Sequence, residues 1–155
     1  MSKIIIVSNR LPIKIQKNKN SYDFINSSGG VATGMDSIHS KNETLWIGWP
    51  GIALDELNDE ILKDLNQFLE AKNFKAVNLN KKEIKDFYYG LSNKSLWPLF
   101  HYFIEYSVFD KSNWDSYQKV NDKFAQCIIE NYNEGDLIWI HDYQLMLCPK
   151  MVRDL

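Results

Sequence analysis

The tightest constraint on this chain is an alternation. Short apolar runs at residues 3–8 (KIIIVS), 44–49 (TLWIGW), 75–79 and 137–140 (LIWI) are separated by stretches of helical spacing. Each run reads as a strand, and the first, KIIIVS, as one buried on both faces, the parallel-sheet kind. Leu54, Leu57, Ile61, Leu62, Leu65, Phe68 and Leu69 recur at the helical period, as do Trp114, Tyr117, Val120, Phe124, Ile128 and Tyr132. Residues 13–16 and 22–25 alternate around KNKN, a hairpin pattern. Further helices are expected from the Ser27-Ser28-Gly29-Gly30 stretch to about His39, with Ser28 as cap, over 81–91 and over 143–154. The pattern implies an α/β fold: a Rossmann-like, mostly parallel sheet with helices on both faces. By the same alternation another strand should follow residue 155, so the sheet reads as unfinished.

At 155 residues the chain can bury a core without disulfides or a structural metal. A formal net charge of -2 excludes binding of nucleic acid through a broad basic surface. No apolar run approaches the roughly 20 residues of a membrane span. Cys127 and Cys148 lack metal-ligand spacing and read as buried thiols in a reducing, cytoplasmic setting. No cluster of His, Cys, Asp or Glu has metal-ligand spacing, so no metal or other cofactor is expected.

In open α/β sheets, ligands bind beyond the carboxyl ends of the strands. The first strand ends in Ser8-Asn9-Arg10, the second in Gly48-Trp49-Pro50-Gly51, and the last in His141-Asp142-Tyr143. Only two of the 18 basic residues are arginine, and Arg10 is one of them. Its planar fork suits a phosphate or carboxylate; the plainer reading is a structural pair with an acid. Gly29-Gly30 at a helix start suits a diphosphate, though GGVATG lacks dinucleotide spacing and a plain glycine turn explains it as well. Trp49, Tyr88 and Trp97 could form a platform for a sugar ring. Core packing is the plainer reading for any ring, and Trp114, Tyr117, Phe124 and the other aromatics fit it. Asp142 can accept sugar hydroxyls or orient a base. His141 and His101 read most simply as core histidines.

The blocks VSNRLP (7–12), SSGGVATGM (27–35), WIGWPG (46–51), LSNKSLWPLFHY (91–102), WDSYQKVNDKFA (114–125) and DLIWIHDYQLMLCPKMVR (136–153) resemble the N-terminal part of the trehalose-6-phosphate synthases. These are retaining glycosyltransferases of the GT-B fold. The resemblance implies transfer of glucose from UDP-glucose to glucose 6-phosphate without a cofactor. It makes residues 1–155 an incomplete N-terminal, acceptor-binding domain. A C-terminal GT-B domain, in the same or another chain, would be the partner that holds the nucleotide. Arg10 would meet the acceptor phosphate, with Trp49, Tyr88 and Trp97 lining the acceptor glucose and Asp142 on its hydroxyls. Gly29 and Gly30 would approach the donor diphosphate. No catalytic set is complete in this chain, which is expected to be inactive alone. The alternative is a non-catalytic regulatory or sugar-phosphate-binding subunit, in a homo- or hetero-oligomer with trehalose-synthesis subunits. A nicotinamide-linked dehydrogenase is the weakest reading. Two positions depart from the family pattern. Gln144 replaces a usual His, keeping hydrogen bonding and losing titration, and Tyr89 replaces a usual Asn.

Overall fold

A computed structural model describes residues 2–18, 21–27, 29–39 and 43–154. The chain enters as strand β1 (Ile4–Arg10) and doubles back as an antiparallel hairpin, β2 (Ile13–Lys17) and β3 (Tyr22–Asn26). Helix α1 (Gly30–His39), strand β4 (Thr44–Trp49), helix α2 (Asp59–Glu70) and strand β5 (Phe74–Ala76) follow. Ser28, the expected cap of α1, lies outside the described residues. The next segment is one helical rod of changing pitch: α3 (Lys81–Glu83), a π-helix (Ile84–Leu96) and α4 (Trp97–Phe100). Helix α5 (Lys111–Asn131), strand β6 (Leu137–Ile140) and helix α6 (Cys148–Asp154) complete the chain.

The main sheet is parallel, in the order β5-β4-β1-β6. Strand β1 lies inside the sheet and feeds a core on each of its two faces. Ile5 and Val7 enter a core shared with Phe87, Tyr117, Val120, Phe124 and Leu145. Ile6 enters another on the opposite side, with Met35, Trp46, Leu65 and Leu69. The hairpin caps this second core, where the Phe24 and Phe68 rings lie 5.6 Å apart. Asn58 caps α2 by accepting from Ile61 N–H, and Asp110 caps α5 by accepting from Ser112 N–H. Among the described residues no helix is long and apolar enough to cross a membrane.

Four expectations need correction. The strand expected at 75–79 starts at Phe74 and ends at Ala76, because Asn80 already forms a capping box with Glu83. The helix expected over 81–91 runs on as a π-helix, in which Trp97 N–H donates to Ser92 O, five residues back. Gly90 lies close to α5: a Cβ there would stand 2.6 Å from Asn113 Oδ1, so the Asn113 side chain would have to move. The aromatics outside the proposed sugar platform are not all core. Phe100, Tyr102, Phe103, Tyr106 and Phe109 lie on the surface, and Trp114 is 42 % exposed, stacked on buried Tyr117. Residues 101–110 form a strap with only one short 3-10 turn, tied to the π-helix by Val108 N–H on Lys94 O. A strap of this kind has no face turned into the core. The histidines are not core residues either: His101 is exposed and stacks on Trp97, and the His141 side chain is one-third exposed.

Candidate active site

The carboxyl end of the sheet gathers the charged and aromatic residues singled out above. Arg10 is the last residue of β1 and pairs in register with Trp49 of β4 across a bulge. Its guanidinium carbon sits 5.4 Å from the centre of the Trp49 ring, a cation–π contact. Among the described residues Arg10 makes no ion pair with a carboxylate. The structural-pair reading therefore has no partner, and the fork stays available to an anion. Gly51 makes this placement feasible. Its φ is +94°, and a Cβ there would stand 2.1 Å from an Arg10 guanidinium nitrogen.

Trp49 is 4 % exposed, and its indole N–H donates to Ile52 O at 2.8 Å. It is thus a pillar rather than an open platform. One side of its ring supports Arg10, and Tyr88 lies 5.8 Å away at 58°. Tyr88 in turn meets the exposed Tyr89 edge-on at 5.0 Å. The structure therefore joins Arg10, Trp49 and Tyr88 in one stack.

Asp142 follows β6 with φ 74° and ψ 170°, a backbone region left almost entirely to glycine. A non-glycine residue held there stores strain of order 1–3 kcal/mol, a common mark of functional sites. Its carboxylate accepts from Tyr143 N–H at 2.8 Å and is 43 % exposed. Tyr143 joins the two halves of the site. Burial, then the charge of Asp142, then Tyr88, hold its phenol above the usual range, and its ring lies 6.0 Å from Phe100. Trp97, 45 % exposed and stacked on His101 at 4.1 Å, stands one turn before Phe100 and makes no ring contact with the Trp49–Tyr88 stack. Below the turn, the Tyr117 hydroxyl donates to Tyr143 O, and burial pushes it up to about 12.

Gly29 and Gly30 line a cavity of about 230 Å³ that Arg10, Pro12, Ser27 and Trp46 also line. The proposed diphosphate contact and the proposed phosphate fork are thus neighbours. Sequence reasoning set Gly51 and Tyr143 at strand ends and gave neither a role. Among the described residues no group of three or more His, Cys, Asp or Glu is placed to hold a metal ion.

Comparison with known proteins settles the family. The profile of glycosyltransferase family 20 matches residues 2–155. The chain belongs to glycosyltransferase family 20. It is 41% identical over 154 residues to an α,α-trehalose-phosphate synthase (UDP-forming) of Emericella nidulans, covering 99% of this chain and 30% of that protein. The crystal structure of α,α-trehalose 6-phosphate synthase from Burkholderia multivorans superposes with a TM-score of 0.74 at 28% identity, over 99% of this chain and 31% of that one. A UDP-forming synthase from Burkholderia xenovorans, solved in complex with glucose-6-phosphate, gives a TM-score of 0.72 at 25% identity, over 99% and 31%. This family 20 chain therefore spans about 30% of the length of the relatives it matches.

Proposed function

We propose that this chain supplies the acceptor side of a trehalose-6-phosphate synthase site. The reaction is transfer of glucose from UDP-glucose to glucose 6-phosphate with retention, giving α,α-trehalose 6-phosphate and UDP in the cytoplasm. The observation that carries the reading is Arg10, unpaired with any described carboxylate and propped on Trp49 beside Tyr88. A bidentate guanidinium on the phosphate anchors the acceptor. Asp142, an acceptor of hydrogen bonds only, takes sugar hydroxyls and leaves the phosphate to Arg10. The exposed faces of Tyr88 and Trp97 suit the C–H face of the sugar. Backbone N–H groups at the start of α1, at Gly29 and Gly30, suit the donor diphosphate. The relative of known structure that holds glucose-6-phosphate supports the acceptor assignment.

On this reading residues 1–155 are the N-terminal acceptor-binding domain, and the nucleotide-holding GT-B domain comes from further along the same chain or from another. The catalytic barrier falls through positioning of donor against acceptor and through charge stabilisation of the leaving UDP. The 155-residue chain alone then binds glucose 6-phosphate and does not turn over. Calorimetric titration and a UDP-release assay test both halves. Binding that Arg10→Ala abolishes, with no UDP released, is the expected pair of results. Trehalose 6-phosphate made by the isolated chain overturns the division of labour. No binding at millimolar glucose 6-phosphate overturns the acceptor site and leaves an interaction-only, regulatory subunit.

A further inference from the structure

We propose that Asn9 is a further ligand of the acceptor sugar, its side-chain amide oxygen receiving a hydrogen bond from a sugar hydroxyl. The proposal rests on the reading of this site as the seat of a phosphorylated sugar.

Three observations converge on Asn9. The first is its face. Ile5 and Val7 lie in the core that holds Trp49, with Tyr88 packed against it, whereas Ile6 lies in the other. Ser8 Oγ accepts from Trp46 Nε1 of that second core. Alternation as far as Ser8 leaves the Val7 side, that of Trp49 and Tyr88, to the next residue, Asn9, where the bulge before Arg10 opens. The second is its register. Val7 pairs with Ile47 of β4 and with Ile140 of β6. A bulge then opens in β1 and sets Arg10 opposite Trp49, so Asn9 stands within the bulge, one residue before Arg10 at the carboxyl end of the sheet. The third is its unspent valence. Asn9 is 8% exposed, and its Oδ1 has no hydrogen-bond partner among the described residues. The other such side-chain atom among the described residues, Ser92 Oγ, belongs to a residue with no exposure at all, so it has no opening to a ligand.

A buried amide oxygen left unpaired is costly, and its complement is a donor. Phosphate oxygens at neutral pH are chiefly acceptors, whereas a hydroxyl donates. The chemistry thus sorts the ligand: Arg10 faces its phosphate, and Asn9 with Asp142 faces its hydroxyls.

The test is calorimetric titration of the full 155-residue chain with glucose 6-phosphate and its monodeoxy analogues. Wild type, Asn9→Ala and Arg10→Ala are compared, with a melting curve for each. Asn9→Ala should weaken glucose 6-phosphate about tenfold. One deoxy analogue should bind wild type and Asn9→Ala equally, because its missing hydroxyl is the one that Asn9 receives. Asn9→Asp keeps the acceptor oxygen and serves if the alanine variant does not fold; it should still discriminate against that analogue. Unchanged affinity in Asn9→Ala, an equal loss for every analogue, or an Asn9→Asp protein indifferent to all of them overturns the proposal alone, given wild-type binding that Arg10→Ala abolishes. A wild type that binds no glucose 6-phosphate overturns the parent reading and this one with it.

Discussion

Asn121 carries a heavy polar load in the core, and removing it should be among the costliest changes in the chain. The residue is wholly buried in α5. Its amide donates to the Tyr117 and Gln144 carbonyls at 2.9 and 3.1 Å. Its oxygen accepts from the Leu147 and Cys148 N–H groups at 3.2 and 3.1 Å, at the start of α6. Asn121→Ala strands those two N–H groups and the Gln144 carbonyl, each a loss of about 1–3 kcal/mol when left buried and unmade. Taking the low end of that range, because the site relaxes, the loss is about 3–5 kcal/mol. Asn121→Leu refills the space and leaves the same groups unmade, so it should cost as much. At about 2–4 °C per kcal/mol for a domain of this size, the melting temperature falls by about 10 °C. Urea unfolding should show a lower midpoint with an unchanged slope. An Asn121→Leu protein within about 1 kcal/mol of wild type would refute the reasoning, because packing rather than hydrogen bonding would then hold the turn after Asp142.

Other expectations concern the site and its support. Gly51→Ala combines a φ of +94° with a clash against the Arg10 guanidinium. It should lower stability by about 1–2 kcal/mol and weaken phosphate binding together, measured by unfolding and by titration. The thiols of Cys127 and Cys148 are pushed up to about 11 and about 12, first of all by burial. They should resist iodoacetamide at pH 8 in the native state and react on unfolding. Their contribution to stability is complete below the unfolded thiol range, near pH 8.5, and is lost as pH rises toward the folded values. Asp136 is held below the usual carboxylate range, first by the Lys3 and Asn133 N–H groups. A lowered carboxylate stabilises the fold above its unfolded value and loses that contribution as pH falls through the folded one. Asp136→Asn should therefore flatten the acid limb of the stability profile.

Much of the architecture was legible because burial imposes a period on the sequence. The runs at 44–49 and 137–140 match β4 and β6 residue for residue, since isoleucine- and tryptophan-rich runs favour strands; β4 is covered on both faces, whereas the edge strand β6 leaves Leu137 and Trp139 exposed. The winding of Ile84–Leu96 was not legible. Its apolar spacing suits several helical pitches, and the close approach of Gly90 to Asn113 depends on contacts far along the chain. The surface rings at 100–109 were misread for a related reason: composition reports that a ring is apolar, and only the course of the strap decides what covers it. At the site, Arg10, Trp49 and Asp142 could be placed on one edge because they end parallel strands. That Trp49 would spend its N–H on Ile52 and act as a buried support was beyond reach, since it depends on how the chain turns after Pro50. The strained φ of Asp142 was equally hidden, because no glycine marks it.

The account stands or falls on whether Arg10, Trp49, Tyr88 and Asp142 form one sugar-phosphate site. Amide and indole NMR of the ¹⁵N-labelled chain, titrated with glucose 6-phosphate, tests this most directly. Shifts concentrated at Arg10, the Trp49 indole, Tyr88 and the 141–143 turn, absent in Arg10→Ala, are the predicted result. An unperturbed spectrum, or shifts centred on another face of the sheet, would contradict it.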